Sequence, residues 1–165
     1  MPARNSVASI LLLLLASLPL GADEIVSENS NFSIDVSPID GRIAMDLMGD
    51  IWTLPESGGQ ATLLTGGNQQ ASSPRWSPDG SRVLYESGTS AGSELWTTDA
   101  AGTSSSQINN TDFHDQDAAW HPQGDRIVYA SDRHGSGLDL WETDVATGLA
   151  WRITSQSGDE SDPAW

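Results

Sequence analysis

Short apolar runs recur along this chain, and each run follows a polar turn. Val83-Leu84-Tyr85 follows Ser77-Pro78-Asp79-Gly80, and Ile127-Val128-Tyr129 follows His121-Pro122-Gln123-Gly124. The runs are apolar without strict alternation, which is typical of strands that are buried on both faces. Proline presets the backbone for the turn and glycine takes the left-handed conformation that closes it, so each pair of segments predicts a β-hairpin.

The tryptophan residues indicate that these hairpins belong to a larger repeat. Two interleaved series recur after 44 and then 45 residues, and they consist of Trp76, Trp120 and Trp165 in the first and Trp52, Trp96 and Trp141 in the second. In the second unit, strand-like segments are expected at about 73–77, 82–87, 94–99 and 105–109. Four short strands in each unit of about 45 residues predict the blade of a β-propeller.

The predicted fold is therefore all-β: an incomplete propeller of about three four-stranded blades and the first strand of a fourth. The blades are expected at about 33–66, 73–110 and 117–155, and the next one begins at 162–165. A single blade cannot bury two apolar faces alone, so neighbouring blades must stack. The alternative is that the segments are hairpins of a β-sandwich. The predicted structural signature comprises the turn and tryptophan positions Pro38, Gly41, Trp52, Trp76, Pro78, Asp79, Gly80, Trp96, Trp120, Pro122, Gly124, Trp141 and Trp165.

The first unit departs from the other two in its opening strand and turn. Val36 occupies the position where the later units have tryptophan. Its turn reads Ser37-Pro38-Ile39-Asp40-Gly41, which predicts one extra residue compared with Ser77-Pro78-Asp79-Gly80.

The N-terminal residues 1–22 read as a Sec-type signal peptide. Arg4 supplies positive charge, residues 7–20 are apolar, and Gly21-Ala22 offers a small-residue cleavage site. The apolar stretch is short for a membrane span, which takes about 20 residues, although an uncleaved anchor remains the alternative. The sequence thus predicts a propeller domain over residues 23–165, a periplasmic or secreted location, and no stable membrane insertion once the signal is removed.

The charge balance narrows the range of partners. The chain has 23 acidic and seven basic residues, for a net charge of −16, and all the basic residues are arginine. A nucleic-acid-binding protein needs a basic face, so this composition excludes that class. Cysteine is absent, which excludes disulfides and thiolate metal sites.

The repeats carry a resemblance to a known family. The sequence Trp76-Ser77-Pro78-Asp79-Gly80, followed by Arg82-Val83-Leu84-Tyr85 and by Leu95-Trp96 with Asp99, resembles the WD40-like repeat of TolB-like propellers, over residues of about 33–165. The first unit, with Met45-Asp46-Leu47-Met48-Gly49-Asp50-Ile51-Trp52, looks like the opening blade of secreted amidohydrolases. The repeats are also similar to the propeller of prolyl-oligopeptidase-type peptidases, which filters substrate for a separate hydrolase domain.

Candidate chemistry is sparse. Gly88-Thr89-Ser90-Ala91-Gly92 matches the G-x-S-x-G nucleophile pattern, but it lies in a predicted hairpin loop and not between a strand and a helix. The three histidines form no zinc-binding spacing. We therefore predict no catalytic residue and no cofactor within this chain.

One local cluster offers candidate metal ligands. Its members are Asp112, His114, Asp115 and Asp117, whose carboxylates and imidazole could hold a cation such as calcium. Asp162 occupies the Asp117 position of the next unit, which favours instead a repeated structural acid that caps backbone amides.

Two functional hypotheses follow. In the first, this is an exported, non-catalytic protein-binding or scaffold module, the N-terminal part of a longer protein, and the resemblance to TolB implies protein partners in the cell envelope. In the second, it is the propeller of a secreted metal-dependent amidohydrolase, or of a prolyl-oligopeptidase-type peptidase, whose catalytic domain lies beyond Trp165 and is then its covalent partner. Strong acidity favours basic partners over anionic ones in either case.

Overall fold

The computed structural model describes residues 32–66, 70–88, 92–109, 112–135 and 137–165. The predicted signal peptide lies outside the described residues, as do residues 89–91 of the G-x-S-x-G match. No helix occurs in these described ranges, and so none of them supplies a helix able to cross a membrane.

Twelve strands form three antiparallel sheets, in which the strands pair in chain order. Blade 1 contains β1 (Ile34–Val36), β2 (Ile43–Leu47), β3 (Asp50–Leu54) and β4 (Thr62–Leu63). Blade 2 contains β5 (Ala71–Trp76), β6 (Arg82–Gly88), β7 (Ser93–Asp99) and β8 (Ser105–Gln107). Blade 3 contains β9 (Asp115–Trp120), β10 (Arg126–Ser131), β11 (Asp139–Asp144) and β12 (Ala150–Arg152). The prediction of three four-stranded blades is confirmed, and every predicted strand boundary in the second unit lies within two residues of the observed one.

The start of a fourth unit docks on blade 3 without forming a paired strand. The ring of Trp165 lies edge-on to His121, with a centroid distance of 4.4 Å. Asp162 has a φ of 51°, which matches 54° at Ser73 and 56° at Asp117, the equivalent positions of blades 2 and 3. The backbone of the fourth unit thus already has the conformation of the earlier ones.

The polar turns adopt the predicted hairpin geometry. Gly80 and Gly124 have φ values of 67° and 73°, and each donates its N–H to a carbonyl three residues earlier. Gly41 also has a left-handed φ, 70°, but donates four residues back, to Ser37. The extra residue that the sequence predicts is therefore present, and it precedes Gly41. The whole turn is not longer, however, because Arg42 follows Gly41 directly and its carbonyl accepts the Ser37 N–H across the same span as in the other blades.

Two of the three apolar clusters in the described residues lie between blades, and the third lies within blade 1. In β6, Val83 and Tyr85 pack in the cluster shared with blade 1, whereas Leu84 packs in the cluster shared with blade 3. All three are at most 1% exposed, which confirms that this strand is buried on both faces. The tryptophans divide in the same way. Trp76 and Trp96 pack in the cluster shared by blades 1 and 2, and Trp120 and Trp141 pack in the cluster shared by blades 2 and 3.

A recurring arginine covers the tryptophan of the next unit, and sequence reasoning did not foresee this. The Arg42 guanidinium lies 4.7 Å from the ring centroid of Trp76 and donates to the Ala100 carbonyl at 3.0 Å. Arg126 lies over Trp165 in the same manner, at 5.3 Å. Each contact joins consecutive units through a cation–π interaction, and the contact of Arg42 also helps to cover the buried ring of Trp76.

The turn glycines allow a direct test of blade contact. A Cβ on Gly80 would meet Cγ1 of Ile39 from blade 1 at 3.0 Å, whereas a Cβ on Gly124 has its nearest neighbour, Cδ of Pro78, at 3.6 Å. Both substitutions to alanine incur a left-handed cost of about 1–2 kcal/mol. We expect Gly80→Ala to lower the free energy of unfolding by roughly 1 kcal/mol more than Gly124→Ala in a denaturant titration, because it also crowds the neighbouring blade. Equal losses would contradict the close approach of the two turns.

The buried tryptophans should dominate stability. Trp76 is 5% exposed, so Trp76→Ala should lower the free energy of unfolding by about 3–5 kcal/mol. Trp165 is 51% exposed, and Trp165→Ala is the matched control with a much smaller expected loss. Losses of similar size in equilibrium unfolding would show that the ring of Trp76 does not support the interface.

Candidate functional site

Asp115, one of the candidate metal ligands, is a buried and fully compensated carboxylate. It begins β9 and is 0% exposed. Nη2 of Arg133 lies 3.2 Å from each of its carboxylate oxygens, and Nδ2 of Asn109 donates to Oδ2. A buried charge is tolerated only with such partners. Asp115 therefore joins blade 3 to the end of blade 2.

Aromatic side chains hold Arg133 in place. The guanidinium lies 4.5 Å from the ring centroid of Trp141 and 5.3 Å from that of Tyr129, and Nη2 donates to the Tyr129 hydroxyl at 2.8 Å. The Tyr129 hydroxyl also lies 3.0 Å from Oγ1 of Thr143. Burial raises the pKa of Tyr129, so the phenol keeps its proton at neutral pH. The whole network fixes the position of Arg133 against Asp115.

The other candidate ligands point elsewhere. Asp112 and His114 are exposed, and the His114 backbone N–H donates to Oδ1 of Asp132 at 2.9 Å. Asp117 has a left-handed backbone, and its N–H donates to Oε1 of Glu86 at 2.9 Å. In the described ranges, no three His, Asp or Glu side chains converge so that they could hold a metal ion. The structure does not bring the four candidates together, and the recurring feature at the Asp117 position is its backbone conformation.

Two carboxylates link the bulge of one blade to the preceding blade. Oδ2 of Asp46, in β2, accepts the N–H of Ser73 at 3.0 Å, and Oε1 of Glu86, in β6, accepts the N–H of Asp117. The strand register shifts beside Ser73 and beside Asp117, so these amides turn away from their own ladders. Asp46 and Glu86 occupy equivalent repeat positions, which was the only sequence signal for this role, and the third equivalent is Ala130.

Glu86 is the most strongly perturbed carboxyl group among these contacts. Burial raises its pKa to about 7, and the nearby Asp117 carboxylate acts in the same direction, while the Asp117 N–H and Arg75 oppose the shift. Burial thus favours the protonated form of this group well above the usual pH range of a glutamate. It is part of the contact between blades 2 and 3 and not of a cluster of reactive side chains.

Two clefts lie at opposite ends of the interface region. The turn cleft, of about 630 Å³, is lined by the hairpin turns of blades 2 and 3, with Asp79, Asp125, Asp144 and Arg82 among its residues. The loop cleft, of about 550 Å³, is lined at the other end by three further aspartates, His114 and the exposed Phe113. Both clefts therefore carry more carboxylates than bases.

The repeat geometry agrees with a family comparison. The family model of the TolB β-propeller domain matches residues 51–165 of the sequence. This chain belongs to that family. No curated protein matches the sequence significantly.

Solved structures share the TolB-like fold. A TolB-type protein from Agrobacterium tumefaciens is 23% identical with a TM-score of 0.65, and the match covers 74% of this chain and 45% of that one. TolB from Acinetobacter baumannii is 22% identical with a TM-score of 0.64, covering 76% and 33%. A puromycin hydrolase is 19% identical with a TM-score of 0.58, covering 75% and 23%. The chain thus spans less than half of each of these proteins, and at such identities the likeness establishes the fold alone.

The raised pKa of Glu86 predicts a pH dependence of stability. Between its ordinary pKa of 4.5 and about 7, the folded TolB-like domain holds a proton here that the unfolded chain has released. Its contribution is complete below pH 4.5 and is lost as the pH rises towards 7, so the free energy of unfolding falls across this window. Glu86→Gln keeps an oxygen for the Asp117 N–H and should flatten that part of the curve.

The control substitution removes a carboxylate whose pKa is lowered in the folded protein and not raised. Hydrogen bonds from Thr103 lower the pKa of Asp99 to about 2. Asp99→Asn should therefore leave the slope between pH 4.5 and 7 unchanged, since Asp99 loses its charge only at lower pH. Denaturant titrations at several pH values provide the measurement. An unchanged slope in Glu86→Gln would rule out the buried, protonated carboxyl group.

Proposed function

We propose that this protein is an exported, non-catalytic protein-binding module that recognises basic segments of its partners. The observation that carries this proposal is the distribution of charge. Carboxylates line both clefts, and the net charge is −16. Such a surface attracts cationic segments and repels anionic ones, and it acts mainly on partner choice and association rate.

The buried polar groups already contact other groups of the protein, which supports a non-catalytic role. Asp115 and Arg133 neutralise one another, and Glu86 accepts a backbone amide. His121 lies 3.0 Å from Asp125 and contacts Arg126 within its own turn. A general base needs a free lone pair within reach of a substrate. These groups instead hold blades and turns together.

Similarity to TolB proteins and the N-terminal segment support export. Residues 1–22 have the organisation of a Sec-type signal peptide, with cleavage after Ala22. We infer a periplasmic or secreted location and protein partners in the cell envelope.

The second candidate is the propeller portion of a hydrolase. Similarity to puromycin hydrolase favours this alternative, since the chain covers only 23% of that protein. Its first unit also resembles the opening blade of secreted amidohydrolases. In that case the propeller would act beside a catalytic domain on the same polypeptide.

The test uses protein recovered from the periplasm or the medium, whose N-terminus should be Asp23. Binding of a basic peptide, a charge-reversed peptide and a neutral peptide of equal length is measured by calorimetry. We expect the basic peptide alone to bind, with affinity that falls as salt increases. Equal binding of the three peptides would overturn the preference for basic partners. Turnover of amide or ester substrates by the purified chain, absent from a mock preparation, would overturn the non-catalytic role.

A further inference from the structure

The contact between blades 1 and 2 contains a complete site for a guanidinium group. The Arg42 side chain lies over Trp76 and donates to the carbonyl of Ala100, as described above. Asp40 accepts from Nε of Arg42 at 2.7 Å. An aromatic face, a carbonyl acceptor and a carboxylate therefore surround one flat cation.

The equivalent place between blades 2 and 3 is open. Arg82 is the counterpart of Arg42, yet it is exposed. In the described part of the chain, its guanidinium has no hydrogen-bond or ion-pair partner and lies over no aromatic ring. Blade 3 holds Arg126 with Asp125 and Glu142, whereas Ser81 and Thr97 stand at these positions in blade 2.

The walls of the open site match those of the filled one. Trp120, Val145, Asp79, Asp125 and Asp144 all line the turn cleft. Val145 is the counterpart of Ala100, because its N–H donates to the Asp125 carbonyl just as the Ala100 N–H donates to the Ser81 carbonyl. The cleft thus offers the small exposed part of Trp120, a residue that is 9% exposed, and a backbone segment equivalent to the one that holds Arg42.

Hydrogen bonds favour the charged form of two of the carboxylates in the cleft. Hydrogen bonds from Ser77 and Ser81 lower the pKa of Asp79, and those from Thr147 lower the pKa of Asp144. The Asp125 side chain also contacts His121 and Arg126, but it is 52% exposed and thus accessible from the cleft. Three carboxylates against the single base Arg82 leave the cleft net negative.

We propose that the turn cleft binds the guanidinium group of an arginine side chain from a partner, against the exposed part of Trp120. This proposal rests on the proposed protein-binding function and locates one recognition site for it. Arginine fits better than lysine, because a planar guanidinium stacks on the ring while its N–H groups reach acceptors at the edge. Arg82, as a like charge at the rim, opposes this binding.

The experiment titrates N-acetyl-L-argininamide into the full chain, with N-acetyl-L-lysinamide as the matched probe. The indole N–H signal of Trp120, which donates to the Arg75 carbonyl at 3.1 Å, reports on the site by NMR and is assigned by its loss in Trp120→Phe. We expect saturable, weak binding of the arginine derivative and roughly fivefold weaker binding of the lysine derivative.

Three variants examine the charges. Arg82→Ala should tighten binding by roughly fivefold, since it removes a like charge from the rim, and Asp125→Asn should weaken it by a similar factor. Asp40→Asn is the matched control and should leave binding unchanged, because Arg42 fills the site of its own blade. Thermal unfolding checks that each variant is folded. Because Arg82 is exposed and unpaired, we expect Arg82→Ala to fold, so that its binding can be measured.

The outcomes separate this proposal from the general function. No saturable shift of the Trp120 signal in either the parent or Arg82→Ala would overturn it, as would equal binding of the two probes. If basic peptides bind but the arginine derivative neither binds nor competes, the protein-binding function stands and the turn cleft is the wrong site. If the arginine derivative binds while basic peptides do not, the cleft assignment stands and the proposed function fails.

Discussion

Both apolar faces of blade 2 are buried because another blade packs against each of them, and the rest of the structure depends on this constraint. The middle strand of blade 2 directs Val83 and Tyr85 towards blade 1 and Leu84 towards blade 3. Close approach between blades follows: a Cβ on Gly102 would lie 2.8 Å from Cα of Leu64 in blade 1. The repeated sequence therefore encodes interfaces between units as much as the units themselves.

Some backbone polar groups of a blade also find their partners only in the neighbouring blade. The bulges at Ser73 and Asp117 turn one N–H out of each ladder, and an unpaired buried N–H is costly. Asp46 and Glu86 accept these amides from the preceding blade, so the partner that covers the apolar face also satisfies the backbone. Apolar packing and hydrogen bonding are thus satisfied together, which favours one relative placement of neighbouring blades over others.

The sequence revealed what depends on local periodicity. Strand order, the hairpin turns at Gly80 and Gly124 and burial of Trp76 and Trp120 follow from spacing and turn chemistry. The links from Asp46 to Ser73 and from Glu86 to Asp117 did not emerge, because they join residues 27 and 31 positions apart through tertiary contact. Asp115 was grouped with its acidic sequence neighbours. The structure separates it from them, since it points into the interior while they face solvent or the neighbouring blade.

Differences between repeats carry the specific properties of this TolB-like domain. The arginine after each turn is constant, but its carboxylate partners are not, since blade 2 lacks the acids that hold Arg126 in blade 3. The same fold therefore packs one guanidinium against Trp76 and leaves another exposed beside Trp120. When one unit loses such a stabilising contact, the residues that surrounded it stay in place, because they still belong to the core. Such a position is where a stable scaffold can acquire a ligand site without a change of fold.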